Sequence, residues 1–266
     1  MPRRARCAVL LGLALASAAW ARADGLLDPR SDLYYRDPRL RDLMAWVTLQ
    51  LTFDGDSLVP DMAAGDPGMT ARGQPLFAPG VKGRALVAGD GSGQGIYARV
   101  GNAALETRGA VSLWVCPTRW THQQGGNTTF LMTANSSFYL QRQGPMHNDE
   151  GVVTRQEGVQ FLMLSEVTGN QCLMVGTSDW PQGQWRLLVA NWSWPTMSLS
   201  LDGGEFRSVT VKQSPGPDQF GALVVGASGG EETLLDELTV YRRPLALEEV
   251  RALYEALSPR QTEGSE

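Results

Sequence analysis

Residues 234–245 read Leu234-Leu235-Asp236-Glu237-Leu238-Thr239-Val240-Tyr241-Arg242-Arg243-Pro244-Leu245, and Ala246 to Leu257 follow directly. Leu234, Asp236, Leu238 and Val240 fall on one face of an extended chain, and Leu235, Glu237, Thr239 and Tyr241 on the other. That period of two predicts a strand. Pro244 has no N–H for a ladder and ends it. Leu247, Val250, Leu253, Tyr254 and Leu257 then recur at helical spacing, with Glu248 and Glu249 in the first turn, where the helix dipole favours acids. The stretch therefore predicts a strand, a tight corner and a short amphipathic helix that closes a domain. Asp236 is in phase with Leu238 and Val240, so its carboxylate is expected on the buried face, where it needs a metal, a cation or backbone N–H donors.

Shorter strand-like pieces precede it. They are Leu51-Thr52-Phe53-Asp54-Gly55-Asp56, Gly83-Arg84-Ala85-Leu86, Val111-Ser112-Leu113-Trp114-Val115-Cys116-Pro117, Trp185 to Ala190, Leu199-Ser200-Leu201-Asp202-Gly203 and Leu223-Val224-Val225-Gly226. In this order and spacing, and with the Leu-Asp-Glu-Leu-x-Val-Tyr…Arg-Pro-Leu closing segment, they resemble the laminin-G-like jelly rolls of the concanavalin A-like lectin/glucanase superfamily over about residues 47–257. The sequence departs from that pattern at the helix start, where Ala246-Leu247 replaces a Ser or Thr cap, at a cost of about 1 kcal/mol. The resemblance implies an all-β fold, a two-sheet antiparallel jelly-roll sandwich with a short C-terminal helix. It also implies that the first and last strands are neighbours in one sheet.

Arg3, Arg4 and Arg6, the apolar run from Cys7 to Trp20 and Ala21-Arg22-Ala23 predict a cleaved signal peptide over residues 1–23. Residues 24–45 read as a polar N-terminal leader, with a helical turn expected within Leu40 to Trp46. Residues 46–257 form the sandwich, and 258–266 a polar disordered tail. No later stretch is long and apolar enough to span a bilayer, so the expected mature chain is secreted or periplasmic. It keeps 19 basic against 28 acidic residues, a formal charge of −9. An acidic surface argues against nucleic acid or anionic lipid as a partner and suits neutral glycans, basic partners or divalent cations.

Within the sandwich, strands are expected near Arg84–Ala88, Gly95–Val100, Ala110–Cys116, Thr128–Thr133, Phe138–Gln143, Val159–Leu164, Cys172–Gly176, Trp185–Trp192 and Met197–Leu201. Asp202-Gly203 makes a hairpin turn, and Val209 and Val211 continue the core. Ser57 to Val81 reads as an irregular connection. Arg119–Asn127 and Gly144–Glu157 read as long polar loops of the kind that carry function.

Three candidate chemistries follow. Asp54, Asp56 and Asp236 lie on the first and last strands, and calcium takes several hard oxygens of this kind. The resemblance allows a structural Ca2+ between the chain ends, while Asp-Gly pairs also form simple turns. Asp90, in Gly89-Asp90-Gly91, is a weaker candidate of the same kind. Trp114, Trp120, Trp180 and Trp194 are candidates for an aromatic glycan platform, with Asn127, Asn135, Gln141 and His147 to hold hydroxyls; the competing role is packing at sandwich edges. Trp114 is expected on an outer sheet face, and Trp185, in phase with Leu187 and Val189, in the core. Cys116 and Cys172 form an even pair in an oxidising compartment, compatible with a disulfide or with two separate thiols.

An enzyme is disfavoured. The Glu-x-Asp-x-x-Glu strand of the glucanase branch is absent, Asp236 and Glu237 are consecutive, and Glu150, Glu157 and Glu166 are scattered. The two histidines, His122 and His147, exclude a His-rich metal site. There is no nucleophile elbow, phosphate loop or dinucleotide fingerprint. The leading reading is a secreted, non-catalytic recognition domain for a polysaccharide or other glycan. A protein-interaction, adhesion or structural envelope module is second, and a glycan-active hydrolase or lyase third.

Overall fold

The computed structural model describes residues 34, 37–64, 68–89, 95–98, 108–124, 126–133, 138–163, 171–176, 179–211, 222–226 and 231–258. Residues 1–23, where a signal peptide is expected, Asp90, Asn135, Glu166 and residues 259–266 lie outside them. A short helix α1 (Pro38–Arg41) runs into a 3-10 turn (Asp42–Trp46). The strands follow as β1 (Val47–Leu51), β2 (Met62–Ala63), β3 (Met69–Arg72), β4 (Leu76–Pro79), β5 (Arg84–Ala88), β6 (Gly95–Ala98), β7 (Arg108–Pro117), β8 (Asn127–Thr133) and β9 (Phe138–Gln143). Then come β10 (Met146–His147), β11 (Val153–Arg155), β12 (Gly158–Met163), β13 (Gln171–Gly176), β14 (Arg186–Ser193), β15 (Thr196–Leu201), β16 (Arg207–Thr210), β17 (Leu223–Val225), β18 (Thr233–Tyr241) and the closing helix α2 (Leu247–Leu257).

Apart from the separate β10–β11 pair, these strands build two antiparallel sheets, as a jelly-roll sandwich requires. The first has the order β16-β15-β14-β7-β18-β1-β2, with the β4–β5 pair joined to β18. The second has the order β13-β12-β9-β8-β17-β6-β3. Between them Leu49, Leu51, Val111, Leu113, Val115, Leu188, Leu238 and Val240 of the first sheet meet Phe130, Phe138, Leu140, Val159, Phe161 and Leu173 of the second. Each such side chain removed from water contributes about 1.5–3 kcal/mol.

The first sheet has a second apolar layer on its outer face. Trp114, Leu187, Val189 and Tyr241 are covered there by Leu40 and Leu43 of the leader and by Val250, Ala252 and Leu253 of α2. The leader is thus part of the fold: Tyr34 is fully buried, its hydroxyl 2.7 Å from that of Tyr241. Arg39 reaches Glu255 of α2 at 2.8 Å. Trp114 faces outward as its strand phase predicts, yet it is buried, stacked on Tyr254 with ring centroids 5.8 Å apart. Trp185 is half-buried against this outer layer rather than in the inter-sheet core. The helix start lacks a side-chain cap, and Glu249 compensates in part by accepting the Ala246 N–H at 2.7 Å.

Two differences from the sequence reading concern strands. The connection 57–81 contains β2, β3 and β4, short pieces with no sustained alternation to reveal them. The polar loop 144–157 contains the β10–β11 hairpin, whose Asn148 side chain accepts the N–H groups of Glu150 and Val152.

The closing strand holds a third difference. β18 pairs with β7 along its length, while on its other edge β5 serves Thr233–Leu235 and β1 serves Leu238–Tyr241. Where the partner changes, the ladder with β7 slips between Asp236 and Thr239, and Glu237 sits at φ 48°. This is a β-bulge. It inverts the phase of everything before it. Asp236 pairs with Trp114 and so faces the outer layer, away from Leu238 and Val240.

Candidate functional site: the open face of the second sheet

Both described helices lie on the first sheet, and the outer face of the second is the one they leave uncovered. Its chemistry follows from alternation along β9, where Phe138 and Leu140 point into the core and Tyr139, Gln141 and Gln143 point out. On β12, Val159 and Phe161 point in while Gln160 and Leu162 point out. The register sets Gln160 beside both Gln141 and Met174, and Gln143 beside Asn127 and Gly158.

The outward amides form a chain across the strands. Thr129 Oγ1 donates to Gln141 Oε1 at 3.3 Å, and Gln141 Nε2 donates to Gln160 Oε1 at 2.9 Å. Gln160 Nε2 then donates to Gln143 Oε1, which also accepts from Arg155 Nη1 at 3.1 Å. All three glutamines are less than 8% exposed, so the row forms the floor of the face. Each amide carries two N–H donors and two acceptor positions, more than the chain itself uses. Asn127 stands exposed at one end, and Tyr139, Leu162 and Met174 are half-buried around the row. No strand of this sheet carries an Asp or Glu.

The end of the face is held by Arg142, which points inward from β9. It is buried, with its guanidinium 4.9 Å from the centre of the Trp120 ring. Its Nη2 donates to the carbonyls of Thr121 at 2.9 Å, His122 at 3.3 Å and Gln124. Burial lowers its pKa, and Glu157 opposes that. One side chain thus ties the loop after β7 to the second sheet.

The four tryptophans do not make a platform. Trp120 and Trp180 are fully buried, 5.3 Å apart edge to face and against Phe130, and their indole N–H groups are spent on Thr233 Oγ1 and the Gln184 carbonyl. Trp114 is under α2, and Trp194 is half-buried against the core. Indole area was the most valuable surface to remove from water, and these positions spend it on stability. Of the hydroxyl-holding candidates, Gln141 lies in the amide row, Asn127 at its edge and His147 exposed on the hairpin. Gln143, Gln160 and Thr129 were missed, although the alternation in Phe138-Tyr139-Leu140-Gln141-Arg142-Gln143 signals an amide face.

The calcium candidates meet at one turn without forming a metal cage. Asp236 is fully buried; Oδ1 accepts the Glu237 N–H at 2.7 Å and Oδ2 the Lys82 N–H at 3.2 Å. Asp54 Oδ1 accepts the Arg84 N–H at 2.9 Å, and exposed Asp56 pairs with Arg84 Nε at 2.8 Å. Desolvation and then repulsion from Glu237 push the Asp236 carboxyl up to about 9, against the pull of its two N–H donors. Desolvation likewise lifts Glu237, beside Lys82 at 3.5 Å. Among the described residues no three His, Cys, Asp or Glu side chains are placed to hold a metal ion. Cys116 and Cys172 are both free thiols, Cys116 buried and Cys172 exposed, so the pair is not bridged.

Fold and site together define a jelly-roll domain with the outer face of one sheet covered by the described helices and that of the other left uncovered by them. The family model described as the concanavalin A-like lectin/glucanases superfamily, of laminin-G type, matches residues 90–251, more than half of the chain. The chain belongs to that superfamily. A search of curated proteins found no match. Among solved structures, the botulinum neurotoxin serotype D binding domain is similar at TM-score 0.65 and 13% identity, over 80% of this chain and 52% of that one. The binding domain of Paraclostridial Mosquitocidal Protein 1 is similar at TM-score 0.63 and 12% identity, over 80% and 52%. A structure titled for the dependence of botulinum neurotoxin type C cell entry on two ganglioside molecules matches at TM-score 0.61 and 11% identity, over 83% and 53%. The chain spans about half the length of these structures. At such identities the likeness is one of fold. No described helix is long and apolar enough to cross a membrane.

Proposed function

We propose that this protein is a secreted, non-catalytic recognition domain that binds a glycan on the open face of the second sheet. The observation that carries this reading is the amide row Thr129–Gln141–Gln160–Gln143 on a sheet whose strands hold no carboxylate. Amides offer paired donors and acceptors that match sugar hydroxyls. Retaining glycoside hydrolysis needs two carboxylates about 5–5.5 Å apart, and the strands of this sheet supply none. A solved relative in fold is titled for ganglioside interaction, which supports a sugar-bearing ligand. Export rests on the residue 1–23 segment, and N-terminal sequencing of exported protein should begin near Asp24.

The test is a glycan array followed by calorimetry on the parent and on Gln160→Leu. Loss of binding in a folded Gln160→Leu variant supports the reading. Unchanged binding, or release of reducing ends by the parent, overturns it. A second reading, docking of a protein partner, is favoured by the β10–β11 hairpin, which exposes Met146, Val152 and Val153 beside the same face. In that case binding is lost on Val152→Asp and Val153→Asp and survives Gln160→Leu.

A further inference from the structure

The amide row has a polarity, and Arg155 sets it. A guanidinium only donates hydrogen bonds, so the Gln143 atom 3.1 Å from Arg155 Nη1 is the oxygen. The Gln160 group that meets the same oxygen is then its NH2. That turns Gln160 Oε1 toward Gln141 Nε2, and Gln141 Oε1 toward the Thr129 hydroxyl. Every amide oxygen of the row is therefore engaged from within, and Gln143 Oε1 twice. The N–H groups are not. Gln141 and Gln160 each spend one on the next glutamine and keep a second. The Gln143 NH2 faces the Met146 thioether at 3.1 Å, and Met174 Sδ lies 3.9 Å from Gln160 Nε2. Thioether sulfur is a weak acceptor. What the row leaves open is thus mostly donors.

Arg155 adds to that excess. It is exposed on β11, one of its N–H groups goes to Gln143, and among the described residues no carboxylate forms an ion pair with it. The acids nearest in sequence are directed elsewhere. Glu157 is buried, in phase with the inward Val159 and Phe161. Asp149 and Glu150 lie at the tip of the β10–β11 hairpin, and Arg155 lies at its base. A donor-rich floor beside an exposed guanidinium calls for a ligand rich in acceptors and negative in charge. We propose that the face takes an anionic glycan and that Arg155 selects it. The planar guanidinium pairs with a carboxylate or sulfate group on one sugar, while the open N–H groups of the row hold oxygens of the same saccharide. This deepens the reading of the face as a glycan site and rests on it. The chain as a whole is acidic, so long-range steering disfavours such a ligand and the selection is made by contact at Arg155.

The experiment is an array of matched pairs, followed by calorimetry on the pairs that bind. Uronic-acid, sialic-acid and sulfated oligosaccharides are each set beside their carboxyl-reduced or desulfated counterparts. The parent should bind an acidic member about tenfold or more tightly than its neutral counterpart, the worth of a hydrogen-bonded charge. Arg155→Gln should bring that ratio close to one while the neutral counterpart still binds. Gln160→Leu should lose both members of the pair. Arg155 is exposed, so circular dichroism and melting of Arg155→Gln should match the parent. The carboxylated and sulfated arms identify which group supplies the charge, and a preference in either supports the proposal. It is overturned if the parent binds neutral members as tightly as acidic ones, or if the preference survives in Arg155→Gln. Both of those outcomes leave the face a glycan site. A parent that binds no member of either kind removes the glycan reading itself, and this proposal with it.

Discussion

Asp236→Asn should make this protein less stable in acid and more stable in mild alkali than the parent. The bulge places the Asp236 carboxyl in a fully buried position, and its folded-state pKa is about 9. An aspartate in an unfolded chain titrates near ~3.9. The folded state therefore holds the proton more tightly, so this group's favourable contribution is complete below about pH 4. It is lost as pH rises toward the folded value, at up to about 1.4 kcal/mol per pH unit. Across pH 5–8 that limit is about 4 kcal/mol, and partial solvation of the turn reduces it to roughly 2–4. An asparagine never ionises and escapes the loss. It has a different defect: its NH2 group meets one of the two N–H donors, Lys82 or Glu237, at a cost of about 1–2 kcal/mol at every pH. The two stability curves should cross between pH 5 and 8. At roughly 2–4 °C per kcal/mol for a chain of this size, the difference in melting temperature should swing by the order of 10 °C. Differential scanning fluorimetry at pH 5, 6, 7 and 8, with calcium or with chelator, measures it. A difference that stays constant with pH refutes the protonated carboxyl. A calcium-dependent flattening of the parent curve, absent in Asp236→Asn, would show that the turn binds metal after all.

Trp114→Ala should cost about 3–5 kcal/mol and expose the amides of α2 to hydrogen exchange before those of the sheets, because it removes the ring on which Tyr254 stacks; uniform loss of protection would argue against this. Arg142→Met should cost roughly 2–4 kcal/mol and open the 121–124 segment to limited proteolysis, since three carbonyls lose their shared donor; unaltered cleavage would remove Arg142 from that role. In a chain beginning at Asp24, thiol titration should find one reactive cysteine in the native protein and two after denaturation without reductant, and a native chain with none would restore the disulfide.

The fold was legible because the long strands alternate cleanly. Phe138–Gln143 and Arg84–Ala88 run as expected from their patterns, and α2 begins within one residue of its first periodic leucine. What failed did so for local reasons. A single strand read as uninterrupted from Leu234 to Tyr241 cannot show that Glu237 is an extra residue, since the shift is set by the neighbours β5, β1 and β7. The burial of Trp114, Trp120 and Trp180 was not legible because tryptophan carries two meanings, contact surface and core volume. Strand phase correctly turned Trp114 outward, but phase does not reveal that a helix far along the chain covers it. The outward positions of β9, Tyr139, Gln141 and Gln143, are polar or amphipathic, while Phe138 and Leu140 point inward with the buried Arg142.

The leader and α2 share one flank of the sandwich, joined by Arg39 and Glu255, while the amide row occupies the opposite flank. The chain therefore enters and leaves its described fold at the back. A tether, fusion partner or solid support attached through either side of that flank would present the row outward, away from the point of attachment. The domain is in this sense a one-sided plate, and immobilising it by a C-terminal tag should leave ligand capacity intact where coupling through hairpin residues such as His147 would blind it.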